Sequence, residues 1–374
     1  MVQNKCELSD DLNFSVNVSE TNMPETENCE VRNLGNVVNL GNVKSKRIGY
    51  GETCAKVILF GEHSVVYGHS AVALPLKNLR MRATVTSNDP VDTFNTNFKD
   101  ESKTNYDFSS KITLSCLGFN GLLSEITPRF NSVRAAICAT LEFMGSRWRG
   151  ESLRIATESD FPSERGLGSS AAAAGAVIRA ILDYYSISAS DDEIFALTQT
   201  AERVAHGNPS GLDATATSAS QPVRFKSGEF SNIDINMRAW LVLVDSGVKG
   251  VTRATVESLR ERLDAQPEYV GELLNELGAL AIEAEDDLKF GRAADMGVRM
   301  TRAHKILAKL GVSTPQLDNL VQAACENGAL GAKLTGGGGG GCVIALAGDA
   351  LAAERIAAAL RSEGARETWI LNIG

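Results

Sequence analysis

"FPSERGLGSSAAAAGAV", residues 161–177, decides how this chain is read. Two glycines, two serines and a run of alanines put small residues where a helix begins. Free backbone N–H groups at a helix start, the positive end of the helix dipole and two hydroxyls are what a polyphosphate with its metal requires. The same letters fit a second pattern. Gly166-x-Gly168-x-x-Ala171 satisfies the dinucleotide fingerprint, with Asp191 about 20 residues on. A nicotinamide-dependent dehydrogenase, and a helix start kept small only for tight packing, therefore stand beside the phosphate reading.

Working outward, "LRIATESDFP" reads as a strand running into a turn at Pro162. The segment after Gly168 is helical, with Val177, Ile178, Ile181, Leu182 and Tyr185 on one face. Ser190 with Glu193 forms a capping box for a second helix, which carries Ile194, Leu197, Ala201 and Val204 on one side and is stopped by Gly207 and Pro209. "AWLVLVDSG" at 239–247 is a buried strand; from there to residue 329 the pattern is mostly helical, broken at Gly291 and "LGVSTP". "GAKLTGGGGGGCVIALAG" reads as loop and strand, and "LAAERIAAAL" as a helix. Irregular alternation favours an α+β fold in two layers over regular βαβ winding.

Two further stretches carry chemistry. In "AERVAHGNPSGLD", Glu202 sits late on its helix, and the turn before Asp213 is placed to bring that residue back to the same cleft. One carboxylate can then hold a divalent cation and the other take or orient a proton, while a solvated surface acid is the plain alternative for each. His206 reads as turn scaffolding. In "KVILFGEHSVVYG", Lys56 precedes an apolar strand with Glu62 and His63 at its far end. Its ammonium either snorkels at an edge or stabilises developing negative charge. No GxxxxGK[ST] and no HRD or DFG set is present, so a phosphate site here is of another kind.

The bulk numbers narrow the class. A chain of 374 residues is long enough for two domains, each with its own core. A net charge of -9 disfavours nucleic acid and anionic membrane as partners, and no apolar run reaches the length of a spanning helix. Seven scattered cysteines without a CxxC pair suggest a reducing interior, and four histidines leave little material for an imidazole metal site. The first thirty residues hold seven acids and one lysine, and "NLGNV" recurs at 33–37 and 39–43. Residues 1–46 read as a disordered acidic extension that lacks the marks of a secretory or transit peptide.

Taken in order, the three motifs resemble those of the GHMP kinases. "KVILFGEHSVVYG", "HGNPSGLD" and "GAKLTGGGGGGC" are similar to the branch of that family that phosphorylates mevalonate, and the resemblance covers residues 50–374. It implies an α+β, two-domain fold: an N-terminal α/β domain over 47–228, a C-terminal ferredoxin-like domain over 229–374, and an active site in the cleft between them. It implies ATP and Mg²⁺, with mevalonate as the second substrate. Gly166, Leu167, Gly168, Ser169 and Ser170 would be the phosphate loop, with Ser170 and Glu202 holding Mg²⁺. Asp213 would receive the proton of the alcohol and Lys56 would lower that alcohol's pKa. Glu62, His63, Thr252, Thr335 and Gly336 would line the substrate side. A homodimer in the cytoplasm is the family expectation, a peroxisome-like organelle remaining open. Phosphomevalonate, homoserine or a sugar as substrate, and a sensor built on a dead kinase, remain open too.

The chain departs from the family pattern at several places. Cys54-Ala55 stands where Pro-Gly often precedes the lysine, Glu164-Arg165 where small residues are usual in the phosphate loop, and Gly250 where an arginine often stands two residues before Thr252. Gly337 occupies the place of the family's alanine and so completes six consecutive glycines. With no Ser-rich flanks and too little chain beyond for another domain, the run reads as an active-site loop and not a linker. Gly337→Ala is then expected to be tolerated or slightly stabilising if φ is negative there. Bulk at Gly338 or Gly339 is expected to damage ATP turnover more than folding.

Overall fold

The computed structural model describes residues 30–33, 36–39, 47–87, 108–148, 150–206 and 209–374. Most of the expected disordered extension lies outside them. Within it, β1 (Glu30–Asn33) and β2 (Asn36–Asn39) pair antiparallel, Val31 opposite Val38, in a unit separate from the main body.

The first half of the body is a seven-stranded sheet of β3 (Gly49–Phe60), β4 (Ala71–Ser87), β5 (Ile112–Cys116), β6 (Phe119–Leu122), β7 (Leu153–Ser159), β8 (Val223–Lys226) and β9 (Glu229–Asn232). The strands run in the order β6-β5-β7-β4-β8-β9, and β3 also pairs with β4. β4 runs on past the apolar stretch at its start, because Leu79, Met81, Ala83 and Val85 stay buried at every second position. Its start pairs with β8, its end with β7 and most of its length with β3, through a register shift at Cys54/Ala55. The shift lies next to the pairing of Lys56 with Pro75, a residue that cannot donate to a regular ladder.

Helices α1 (Asn131–Met144), α2 (Ser169–Tyr184) and α3 (Asp191–His206) pack as a layer on this sheet, with α2 against β3 and β4. Gly49 and Gly51 let α2 lie almost on the β3 main chain: a Cβ on Gly51 would stand 2.1 Å from the Ala176 carbonyl. The Ser190–Glu193 capping box is formed. Leu197 and Ala201 are buried as expected, but Val204 is 52% exposed, because it falls at the margin of the apolar stripe near the helix end. The His206 side chain and Gly207 lie outside the description. A short helix, α4 (Leu212–Ala216), closes this half by burying Leu212 and Ala216 with Ala71, Ala73 and Phe225.

The second half is a four-stranded antiparallel sheet of β10 (Trp240–Asp245), β11 (Gly331–Thr335), β12 (Cys342–Ala347) and β13 (Glu367–Asn372), in the order β11-β12-β10-β13. Helices α5 (Thr252–Ala265), α6 (Pro267–Phe290), α7 (Ala293–Lys309) and α8 (Pro315–Glu326) join β10 to β11, and α9 (Ala350–Ser362) joins β12 to β13. This is the ferredoxin-like β-α-β-β-α-β order with extra helices in the first crossover.

Three expectations are corrected here. "GAKLT" is not loop but strand β11, every residue of it buried and paired with β12. The two halves do not have separate cores: one cluster of buried side chains runs from Ala55 to Ile373, because α6 packs on β3 and β4 as well as on α7. The dehydrogenase reading fails on topology. α2 leads into α3 and not into a strand beside β7, whose parallel neighbour β5 precedes it in the chain, so no dinucleotide βαβ unit forms around the glycines.

Candidate active site

The loop from Ser163 to Gly168 delivers the chain to the start of α2 through two left-handed glycines, Gly166 at φ +79° and Gly168 at φ +74°. Gly168 is also a steric requirement. A Cβ there would stand 3.1 Å from Cγ and Cε of Lys56 and 2.9 Å from the Thr217 methyl. The lysine stem thus crosses the loop where side chain is absent. The Lys56 N–H donates to the Leu167 carbonyl at 3.1 Å, which fixes β3 to the loop through the main chain.

Lys56 is buried, and its Nζ lies 2.8 Å from Oδ1 of Asp213. Asp213 stands in the first turn of α4, entered through Gly211 at φ +92°. The carboxylate is about one-third exposed while the ammonium is nearly covered, so the pair opens on the acid's side. The Cys54 N–H donates to Thr217 O at 3.0 Å, and the Thr217 hydroxyl donates to Asp213 O at 2.9 Å, tying α4 to β3 two residues before the lysine. An edge lysine that snorkels into water would show neither this burial nor this partner.

On α2, the Ser170 hydroxyl donates to Oε1 of Glu202 on α3 at 2.5 Å, and Glu202 is buried. A hydroxyl and a carboxylate meeting at a helix start are both hard oxygen donors. They fit Mg²⁺, which takes one or two carboxylates and completes its shell with water and substrate phosphate.

The glycine run is the connection between β11 and β12. Gly336, Gly338, Gly339, Gly340 and Gly341 all have positive φ. The run abuts the phosphate loop directly, since a Cβ on Gly336 would lie 3.3 Å from Cα of Gly166. Thr335 closes the seam to the first half: its Oγ1 accepts from Ile58 N at 3.0 Å and donates to Ile58 O at 2.9 Å. The hydroxyl expected on the substrate side is thus engaged by the β3 main chain.

His63 reaches the same run from the other side. Its Nε2 lies 3.0 Å from the Gly337 carbonyl, which can only accept, so the proton sits on Nε2. Burial pushes its pKa below the ordinary value, opposed by that hydrogen bond. The residue is held at φ +60°, strained for a non-glycine, at the start of a short 3-10 turn. The Thr255 hydroxyl donates to the same carbonyl at 2.7 Å, and Thr252 begins α5 against Gly337. Next to His63, Glu62 forms a fully buried ion pair with Lys333. Burial raises the Glu62 pKa and lowers that of Lys333, and in each case the partner opposes the shift.

The structure therefore brings Lys56, Asp213 and Gly168 together, Ser170 with Glu202, Gly166 with Thr335 and Gly336, and His63 with Thr252 around Gly337. Sequence reasoning passed over Lys333, Thr255 and the partners of Glu164 and Arg165. Lys333 did leave a signal: "GAKL" repeats the context of "CAKV", a lysine after alanine at an apolar strand. Arg165 left none, for its partner Asp245 lies at the end of a strand in the other half.

Comparison with known proteins agrees with this geometry. Residues 131–221 match the GHMP kinases N terminal domain and residues 279–366 match GHMP kinases C terminal. The chain is 32% identical to a mevalonate kinase of Thermococcus sibiricus over 303 residues, 78% of this chain and 87% of that protein. It is 34% identical to a mevalonate kinase of Pyrococcus horikoshii over the same shares. Among solved structures, L. major mevalonate kinase in complex with R-mevalonate superposes with a TM-score of 0.73 at 25% identity, covering 88% of this chain and 97% of that one. The Methanococcus jannaschii mevalonate kinase does so with a TM-score of 0.70 at 27% identity, covering 89% and 100%. With both family domains present and relatives above 30% identity along most of its length, this chain belongs to the mevalonate kinases of the GHMP family.

Proposed function

We propose that the chain transfers the γ-phosphoryl group of ATP to the hydroxyl of mevalonate, giving 5-phosphomevalonate and ADP, and that the Lys56–Asp213 pair is its catalytic centre. The single observation that supports these roles is that pair: a nearly covered ammonium against a partly open carboxylate, tied through Leu167 to the phosphate loop. Phosphoryl transfer asks the protein for alignment and charge neutralisation more than for covalent steps. Asp213 accepts the proton of the attacking hydroxyl, and Lys56 stabilises the negative charge that develops on that oxygen. Gly166 to Ser170 present main-chain N–H groups and the α2 dipole to the phosphates.

Ser170 and Glu202 would hold Mg²⁺, which when bound neutralises the charge of the transferred group. His63, neutral with its proton on Nε2, keeps Nδ1 as an acceptor for a substrate hydroxyl. Glu62, Thr252 and Gly336 frame the same side. A homodimer and a cytoplasmic location complete this reading; among the described residues no helix is long and apolar enough to cross a membrane.

An ADP-release assay with ATP and Mg²⁺ against a panel of alcohols at equal concentration tests it. Turnover with mevalonate above phosphomevalonate, homoserine and galactose is expected. Tight ATP binding with no turnover on any alcohol would instead indicate a dead-kinase sensor.

A further inference from the structure

Two residues that depart from the family's phosphate loop, Glu164 and Arg165, both turn toward the second half. Arg165 is buried, and its Nε donates to Oδ1 of Asp245 at 2.7 Å while Nη2 donates to the Gly247 carbonyl at 3.2 Å. Asp245 ends β10 and is 1% exposed; the same Oδ1 accepts from Gly247 N at 2.8 Å, and its Oδ2 has no hydrogen-bond partner. Glu164 repeats the crossing. Its carbonyl accepts from Gly250 N at 3.1 Å, and its carboxylate lies 2.5 Å from Lys249 and 3.2 Å from Arg129. Gly250, which stands where the family often has an arginine, thus serves the loop through its main chain.

The contact is close-fitting on its other side. A Cβ on Gly341 would stand 3.0 Å from the Arg165 carbonyl, so the glycine run and the phosphate loop touch main chain to main chain. The Ser246 hydroxyl donates to Gly341 O at 2.6 Å, which locks the 245–250 segment to the run's last glycine. The arm of the phosphate loop is therefore held from the second half at Glu164, Arg165 and Gly166, immediately before the residues that would meet the nucleotide. Glu164 and Lys249 are exposed enough for that pair to contribute little. Arg165–Asp245 is buried, and removing either partner leaves a charge in a dry site.

We propose that Arg165 is a positioning residue for nucleotide: its buried pairing with Asp245 sets where the phosphate loop and the start of α2 stand against the glycine run. The guanidinium is spent on the second half and is not offered to the phosphates. The proposal rests on the ATP-dependent phosphotransfer reading above, and its test separates the two.

Arg165→Met, Arg165→Lys and Asp245→Asn are to be compared with the unaltered protein by steady-state kinetics, by equilibrium ATP binding, and by circular dichroism to establish the folded fraction. In folded Arg165→Met, the ATP Kd and KM are expected to rise roughly ten-fold and kcat to fall by up to about 10²-fold, as small misplacements do, with the mevalonate KM unchanged. Arg165→Lys, which keeps one charged donor, is expected to recover part of the ATP affinity. A reduced folded fraction alone, with kcat, both KM values and the ATP Kd unchanged per folded molecule, would show a merely structural ion pair and overturn the proposal. If Arg165→Met does not fold, unchanged ATP affinity in both Arg165→Lys and Asp245→Asn overturns it equally. If the unaltered protein binds ATP but phosphorylates no alcohol, the functional reading fails while the ATP-binding comparison still decides the role of Arg165.

Discussion

The Lys56 ammonium and the Asp213 carboxylate stand 2.8 Å apart, one on the strand beside the phosphate loop and the other on a helix of five residues. α4 is too short to hold its own direction. Leu212 and Ala216 anchor it to Ala71, Ala73 and Phe225, and Asp213 projects between those anchors toward Lys56. Asp213→Asn keeps the shape and removes the base. Turnover is expected to fall about 10²- to 10⁴-fold with ATP affinity largely retained. Turnover like that of the unaltered protein, measured by ADP release, would remove Asp213 from the base role.

Gly337→Ala is expected to destabilise, against the expectation from backbone conformation alone. The φ of Gly337 is not positive, so the conformational condition for tolerance is met, but a Cβ would stand 2.3 Å from Oγ1 and 2.6 Å from Cβ of Thr252. Overpacking of this kind costs about 1–3 kcal/mol. Thr252→Gly is expected to relieve most of it in the double variant, which thermal unfolding of the four proteins would show. Independent, additive effects would mean that the clash is not the cause.

Bulk at Gly338 is likewise expected to cost folding before turnover. A Cβ there would stand 2.1 Å from the Val312 carbonyl, at φ +76°. At Gly339 it would stand 2.2 Å from the Val251 side chain, and Gly339 N donates to Val312 O at 2.8 Å. Main chain cannot step aside as a flexible side chain can. Gly338→Val with an unchanged unfolding midpoint and lost turnover would restore the simpler loop reading.

The Glu62–Lys333 pair gives a fourth test. Both side chains are fully buried, with Lys333 also over the Phe60 ring, 5.9 Å from its centroid. Glu62→Gln or Lys333→Met alone is expected to cost about 3–5 kcal/mol, since each leaves one buried charge. The double variant is expected to cost clearly less than the sum. Denaturant unfolding of the cycle measures the coupling, and additivity would show that the pair is not coupled.

A pH dependence follows from two histidines. Burial lowers the folded pKa of His63 and of His304 below the ordinary 6.5. Nδ1 of His304 accepts from Leu334 N at 3.3 Å, so Nε2 carries the proton toward Asp318. As pH falls below about 6.5, the unfolded chain takes protons that the folded one refuses, so stability is lost with falling pH until the lowered folded values are reached. Unfolding midpoints between pH 8 and pH 5 are expected to fall on the acid side, and His304→Gln to flatten that slope. An unchanged slope would exclude His304 as a contributor.

Local order was legible wherever neighbouring residues cause it. The capping box at Ser190, the helix after Gly168, the buried strand at 240–245 and the break at Gly291 all stand where spacing and turn chemistry put them. The three motifs likewise told of a phosphate loop, two acids and a lysine before any contact was known. The sequence could not assign β11, because Lys333 reads as surface until Glu62 is seen against it. It could not separate a snorkelling Lys56 from a catalytic one, because the difference lies in Gly168 and Asp213, neither of them its neighbour in the chain.

What the amino-acid order determined by itself was the inventory: short-range periodicities, caps and glycines that act through adjacent residues. What only the tertiary structure decided was the pairing across the two halves, namely Arg165 with Asp245, Thr335 with Ile58, His63 with Gly337 and Glu62 with Lys333. Each of these joins residues far apart in sequence and takes its strength from burial, and burial exists only once the continuous core has formed around both partners.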